Sequence, residues 1–325
     1  MPLCPYARSD VVRIALLDDY QGVAPSLADW SKLPEGSHVE AFRDHLKDED
    51  AIAGRLAGYD VVVGMRERTP FPRSLLERLP NLKLLITTGG RNASFDVAAA
   101  KDRGVVVSGT RGLGAPTVDL TWGLILGLVR GIAKEDRSIR EGGWQTTIGP
   151  GLEGKTLGIV GLGNLGSKVA AIGKALGMQL IAWSQNLTPE RTEQSDARLV
   201  SKEQLFAEAD VVTVHLVLSD RSRGLIGARE LALMKSTGYL INTSRGPIID
   251  EKALIETLEN KRIAGAGLDV FDEEPLPANH PFRRLENTLL TPHIGYVTLD
   301  NYRAYYEDVL EDILAFLAGN PVRTL

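Results

Sequence analysis

One cysteine, Cys4, is all the chain has, so no internal disulfide can form and a fold held by disulfide staples is excluded. That usage suits a reducing compartment, and Cys4 lies in an N-terminal segment expected to be mobile. Charge of one sign is lacking as well. The 37 Lys and Arg against 42 Asp and Glu leave a net charge of −5, without a basic patch or tail, which argues against nucleic acid as the main partner. Long apolar runs are scarce. The most apolar one, Val118 to Ala133, contains Asp119 and Arg130 and falls short of the roughly 20 residues a bilayer crossing needs. It reads as a buried helix, apolar nearly all round and therefore covered on most sides. No basic-then-apolar leader opens the chain. No membrane association, no metal site, no solenoid repeat and no low-complexity segment is expected, and the setting expected is the cytoplasm.

At 325 residues and 43% apolar, the chain suits two domains rather than one core. Short β-type runs alternate with helical stretches, which implies parallel sheets with right-handed crossovers. In the first part, strands are expected at Arg13 to Leu17, Asp60 to Gly64, Lys83 to Thr88 and Val105 to Val107, with helices at Asp48 to Leu56, Arg73 to Leu79 and Ser94 to Arg103. Gly109 to Pro116, rich in glycine and ending at proline, reads as a linker. The alternation resumes at Lys155 and runs to a final helix, Leu299 to Ala318, stopped by Gly319 and Pro321.

What the chain does have begins with K-T-L-G-I-V-G-L-G-N-L-G, starting at Lys155. Strand, turn, helix and strand follow one another there, with Gly161, Gly163 and Gly166 in G-x-G-x-x-G spacing. Each glycine has its own reason: Gly161 for the sharp turn, Gly163 for the approach of a pyrophosphate, Gly166 for close helix–strand packing. The phosphates would sit on the free amides of the helix start. At the end of the second strand, where a carboxylate would hold the adenosine ribose, stand Ser184, Gln185 and Asn186. A carboxylate there would repel a 2′-phosphate; without it, NAD(H) and NADP(H) both remain open, and the nearest arginine is Arg191.

Three later strands release chemically loaded loops at their carboxyl ends, where open parallel sheets bind ligands. Y-L-I-N-T-S-R-G carries Arg245, A-G-A-G-L-D-V-F-D-E-E-P carries Asp269 and Glu274, and T-L-L-T-P-H-I-G carries His293. Hydride arriving on a ketone carbon leaves an oxyanion that needs a proton, which an imidazolium can donate near neutral pH. A neighbouring carboxylate favours the protonated ring and orients it. An arginine can grip a substrate carboxylate in a bidentate fork. This set suits a 2-keto or 2-hydroxy acid. The residues alone do not choose among Asp272, Glu273 and Glu274. His38, His45 and His215 have no sequence partner that points to chemistry, and His280 reads as a loop or cap residue.

With these motifs, and with R-G-L-I-G and L-D-V-F-D-E-E-P-L-P, the chain resembles the D-isomer-specific 2-hydroxyacid dehydrogenase family, most strongly from Lys155 to Thr298. The resemblance implies an α/β protein of two doubly wound parallel-sheet domains, a Rossmann cofactor domain (111–295) inserted into a flavodoxin-like substrate domain (1–110 and 296–325). It implies an NAD(P)-dependent oxidoreductase moving a hydride to or from C2 of a small D-2-hydroxy acid. By position, Arg245 orients the substrate, His293 is the acid/base, Glu274 is its partner, and Asp269 tunes that pair. Gly161, Gly163, Asn164, Leu165, Ser184, Gln185, Thr243 and Asp269 become the expected cofactor contacts. Thr88, Gly89, Gly90 and Arg91 join Arg245 as expected substrate contacts, and a homodimer built on the helix near Val118 is implied. This chain departs from the family at Ser184, where an Asp is usual, and in G-G-R-N-A-S-F-D, which lacks the commoner G-x-D-x-I-D. Arg66 and Arg68 stand where the far end of a substrate could reach, which raises a second acidic group. The rival expectation is a non-catalytic NAD(H)-sensing corepressor-like protein, which would have no need of Arg245, Glu274 and His293 together.

Overall fold

Val61–Gly64 and Leu84–Thr87 are buried at every position, as strands covered on both faces by crossover helices must be. They belong to the first of two compact units in the computed structural model, which describes residues 11–325; Cys4 lies outside them. The units are the N-terminal part through Leu113 with Val297–Leu325, and Gly114–Tyr296. In the first unit Arg13–Leu16 (β1), His38–Ala41 (β2), Val61–Gly64 (β3), Leu84–Thr87 (β4) and Val106–Gly109 (β5) form a parallel sheet in the order β2-β1-β3-β4-β5, the flavodoxin-like arrangement. β2 was not expected from sequence. It is an edge strand with no residue fully buried, so its segment carries no apolar run to read.

The final helix, Leu299–Leu317, completes this unit. Asp308, buried on that helix, accepts the Arg111 backbone N–H at 2.7 Å, and Asn301 accepts that of Leu113 at 2.8 Å. These bonds hold residues 111–113 with the first unit, three residues past the expected 110/111 boundary. The C-terminal residues then run antiparallel along β5, through Gly109 N–H to Arg323 O at 3.0 Å and Leu325 N–H to Val107 O at 2.9 Å. They cover what would otherwise be an open sheet edge.

The second unit holds Thr156–Val160 (β6), Gln179–Trp183 (β7), Arg198–Leu199 (β8), Val211–Val214 (β9), Tyr239–Asn242 (β10), Gly265–Leu268 (β11) and Thr288–Leu290 (β12). All pair in parallel, in the order β12-β11-β10-β9-β6-β7-β8. The order reverses at β6, which lies between β9 and β7, and the carboxyl end of that reversal is where such sheets bind nucleotides. β8, two exposed residues, was also unforeseen. The apolar run from Val118 is not one helix: Ala115–Val129 ends there, Gly131 takes a left-handed φ of 62°, and a second helix runs Ile132–Arg140. Glycine in that conformation ends the first helix whatever the hydropathy beyond it. The first of the two helices packs Val118, Trp122, Leu124, Ile125 and Val129 into a core shared with β6 and β7.

Candidate active site

The glycine turn after β6 has the shape a pyrophosphate requires. Gly161 has φ 101°, and a Cβ on it would lie 2.6 Å from the His215 carbonyl oxygen at the end of β9. A Cβ on Gly166 would lie 2.1 Å from the Gly161 oxygen, so helix and strand touch backbone to backbone. At Gly163 the Cβ direction is open, with nothing within 4 Å. Helix Asn164–Ala175 starts there without a side-chain cap. The amides of Asn164 and Leu165 in its first turn therefore fit a bound phosphate. At the end of β7, Ser184 begins a turn closed by Leu187 N–H to Ser184 O at 3.1 Å, with Gln185 and Asn186 exposed at its tip.

Across the reversal, β9 ends in His215. Its Nε2 is 2.9 Å from Thr213 Oγ1; its Nδ1 is fully shielded and has no hydrogen-bond partner among the described residues. Burial pushes its pKa down to about 4, so the ring is neutral at pH 7. Nothing in its sequence neighbourhood signals this.

Beyond β10, Asn242 builds the loop that carries Arg245: its Oδ1 accepts the Ser244 N–H at 3.0 Å and its Nδ2 donates to Arg245 O at 2.9 Å. Ser244 Oγ donates to Val214 O, and Arg245 Nη1 to Ser244 O, both at 2.7 Å. A Cβ on Gly246 would lie 2.1 Å from the Phe271 carbonyl carbon, so the Arg245 loop presses on the loop after β11. There Glu274 Oε1 accepts the Phe271 N–H at 3.0 Å, and its Oε2 lies 2.5 Å from His293 Nδ1. Of the three acids in D-E-E, Glu274 is the one seen to reach the imidazole, and both side chains are largely shielded, His293 16% and Glu274 23% exposed. Tyr296 packs edge-on against the His293 ring at 5.6 Å.

His293 itself has φ 54°, left-handed and uncommon for a residue with a side chain. Asp269 holds that turn. Its Oδ1 accepts from Thr291 Oγ1 at 2.6 Å and Ile294 N–H at 2.8 Å, and its Oδ2 from Gly295 N–H at 2.8 Å. Burial pushes its carboxyl above the usual range, opposed by the Thr291 hydroxyl, the Ile294 amide, the charge on His293 and the Gly295 amide. Asp269, expected among the cofactor contacts, thus spends both oxygens on the His293 turn. Thr243, likewise expected there, sets its hydroxyl 2.8 Å from that of Thr121 on the helix from Ala115. His280 caps a short helical turn, accepting from Phe282 N–H at 3.3 Å.

In the first unit, the loop after β4 is fixed from beneath. Thr110 Oγ1 accepts the Gly89 N–H at 2.7 Å, and Thr88 Oγ1 accepts the Arg66 N–H at 3.0 Å. Asn92 Nδ2 donates to Arg66 O at 2.6 Å. Gly90 and Arg91 are exposed. Arg66 lays its guanidinium along Gly89, donating to Thr88 O at 3.2 Å, and Arg68 stacks 5.1 Å from the Tyr20 ring. Asp18, buried after β1 with φ 57°, accepts from Thr69 Oγ1 and lies 2.8 Å from His45 Nδ1, a link invisible in sequence because 27 residues separate that pair.

Fold and site together define a class: a doubly wound α/β oxidoreductase that uses a dinucleotide. Residues 122–295 match the profile described as D-isomer specific 2-hydroxyacid dehydrogenase, NAD binding domain. The chain is 39% identical over 257 residues to a glyoxylate reductase of Thermococcus litoralis, covering 76% of this chain and 77% of the relative. It is 37% identical over 269 residues to a D-3-phosphoglycerate dehydrogenase of Synechocystis, covering 82% of this chain and 48% of the relative. A solved phosphoglycerate oxidoreductase from Vibrio cholerae superposes with a TM-score of 0.90 at 33% identity, over 95% of this chain and 100% of the other. The chain belongs to the D-isomer-specific 2-hydroxyacid dehydrogenase family.

Proposed function

We propose that this protein interconverts a small 2-keto acid and its D-2-hydroxy acid, with His293 moving the proton and Arg245 holding the substrate carboxylate. The observation that carries the reading is the 2.5 Å contact between His293 Nδ1 and Glu274 Oε2. It orients the ring, and Nε2 is the atom proposed to exchange a proton with substrate. A bound nicotinamide supplies or accepts the hydride at C2. In the reducing direction His293 Nε2 gives its proton to the carbonyl oxygen as the hydride arrives; in the oxidising direction it takes the hydroxyl proton back. Glu274 keeps the ring oriented. Asp269, acting through the turn, is a positioning residue.

The cofactor contacts proposed are the turn from Gly161 through Leu165, with Ser184 and Gln185 at the adenosine end. Thr88, Gly89, Gly90 and Arg91 are proposed as further substrate contacts, a reading supported by the way Thr110 and Asn92 pre-form that loop. A homodimer belongs to the same proposal, supported by exposed Ile132, Ile139 and Trp144, which line a groove of about 600 Å³. So does a cytoplasmic setting, which a one-cysteine chain suits and cell fractionation checks. A nucleotide sensor would have no use for the His293–Glu274 pair, and no observation favours that rival.

The test is a screen of glyoxylate, hydroxypyruvate, pyruvate, phenylpyruvate and 3-phosphoglycerate couples against NADH and NADPH. At least one couple should turn over, and His293→Ala should lower kcat by roughly two to four orders of magnitude while dinucleotide binding is kept. Unchanged turnover in that variant would remove His293 from the chemistry, and silence across the whole screen would end the proposal.

A further inference from the structure

Arg191 lies seven residues beyond Ser184, too far along the chain to read as part of the adenosine site. The fold brings it back. Leu187, half-buried against the core of the second unit, anchors the turn that begins at Ser184. Thr188 then precedes the short helix Pro189–Glu193, and from it Arg191 Nε donates to Leu162 O at 3.3 Å. Leu162 stands between the first two glycines of the phosphate turn. A guanidinium thus rests at the carboxyl ends of β6 and β7, where the adenosine ribose of a dinucleotide lies in this sheet type.

We propose that Arg191 selects the cofactor, and that what it selects is a dinucleotide carrying a 2′-phosphate. This deepens the function proposed above and rests on its reading that the ligand is a nicotinamide dinucleotide. Three observations carry it. First, the segment from Ser184 to Thr188 contains no carboxylate. A bare ribose finds no charged acceptor for its 2′-hydroxyl there, and a phosphate meets no repulsion. Second, Arg191 spends only Nε on Leu162, which leaves two amino groups of the fork, and among the described residues no carboxylate pairs with it. Third, two acids of this segment are engaged elsewhere: Asp196 pairs with Lys174, and Glu190 bonds its own backbone amide and the Thr188 hydroxyl, which hold its carboxyl below the usual range. A guanidinium with two amino groups to spare, on the helix that follows an acid-free turn, matches a phosphate dianion, while the neutral hydroxyls of an unphosphorylated ribose gain little from it.

The experiment is calorimetric titration of the full chain with 2′,5′-ADP and with ADP, then with NADPH and NADH, for wild type, Arg191→Ala, Arg191→Lys and Ser184→Asp. Wild type should bind 2′,5′-ADP and NADPH about tenfold to a hundredfold more tightly than the unphosphorylated ligands, the ratio expected of charge-assisted bonds. Arg191→Ala should erase that ratio while leaving ADP and NADH within about twofold, Arg191→Lys should restore part of it, and Ser184→Asp should reverse it. Equal wild-type affinities, or an Arg191→Ala loss shared equally by both ligand sets, would overturn the assignment. Binding of none of the four ligands would overturn the nicotinamide reading itself, and this one with it.

Discussion

His293 and His215 are two imidazoles of the second unit, one just beyond β12 and one just beyond β9, and their surroundings differ in kind. His293 sits in a strained left-handed turn that Asp269 holds by three hydrogen bonds, and a carboxylate faces its Nδ1. His215 has a hydroxyl on one nitrogen and nothing on the other, and burial lowers its pKa to about 4. The sign of the resulting pH effect follows from linkage. Between about 4 and the ordinary 6.5 the unfolded chain binds a proton that the folded chain refuses, so this contribution to stability is lost as pH falls through that window. At pH 5 the loss relative to pH 7 is about 2 kcal/mol. Urea midpoints at the two pH values should show wild type losing about that much more stability than His215→Gln, whose amide does not titrate. Equal slopes for the two proteins would mean that the buried ring is not kept neutral.

At the scale of the element, the strand–turn–helix unit from β6 shows how three glycines of one motif differ in kind. Gly166→Ala forces a methyl to within 2.1 Å of the Gly161 oxygen, where backbone meets backbone and nothing flexible can yield. It should cost at least the 1–3 kcal/mol typical of overpacking, read as a lower thermal midpoint. Gly163→Ala places its methyl in open space on an ordinary backbone, so the midpoint should hardly move. Dinucleotide affinity should nevertheless fall about tenfold or more, because the methyl stands where the pyrophosphate approaches. An unaffected affinity in Gly163→Ala would place the phosphates elsewhere. The break between Val129 and Ile132 teaches a related lesson: hydropathy ran on, but a left-handed glycine ended the helix.

At the scale of the whole molecule, Ile132, Ile139 and Trp144 leave an apolar patch on the second unit of a kind that soluble proteins seldom expose without a use. The chain mass is 35.3 kDa, and in sedimentation wild type should run at about twice that, with Ile139→Asp combined with Trp144→Ala shifting it to the monomer. A monomeric wild type at micromolar concentration removes the dimer. Most of the architecture was legible beforehand because it is written in local terms. Buried strands are short apolar runs, crossover helices have their own periodicity, and the glycine fingerprint and the loops with Arg245, Glu274 and His293 each follow a readable strand. The edge strands β2 and β8 were not legible, since a strand with a solvent face needs few apolar residues.

By itself, then, the sequence determined most of the segments that become strands and helices, where the glycine turn lies and which chemical groups stand at the strand ends. These depend on residues within a few positions of one another. Only the tertiary structure decided that Glu274 meets His293, that Asp269 holds the turn beneath it, that His215 is kept neutral and that Arg191 comes back to the phosphate turn. Each of those pairings depends on the direction a side chain takes after the backbone has crossed the sheet. The packing of distant strands sets that direction, and no local pattern encodes it.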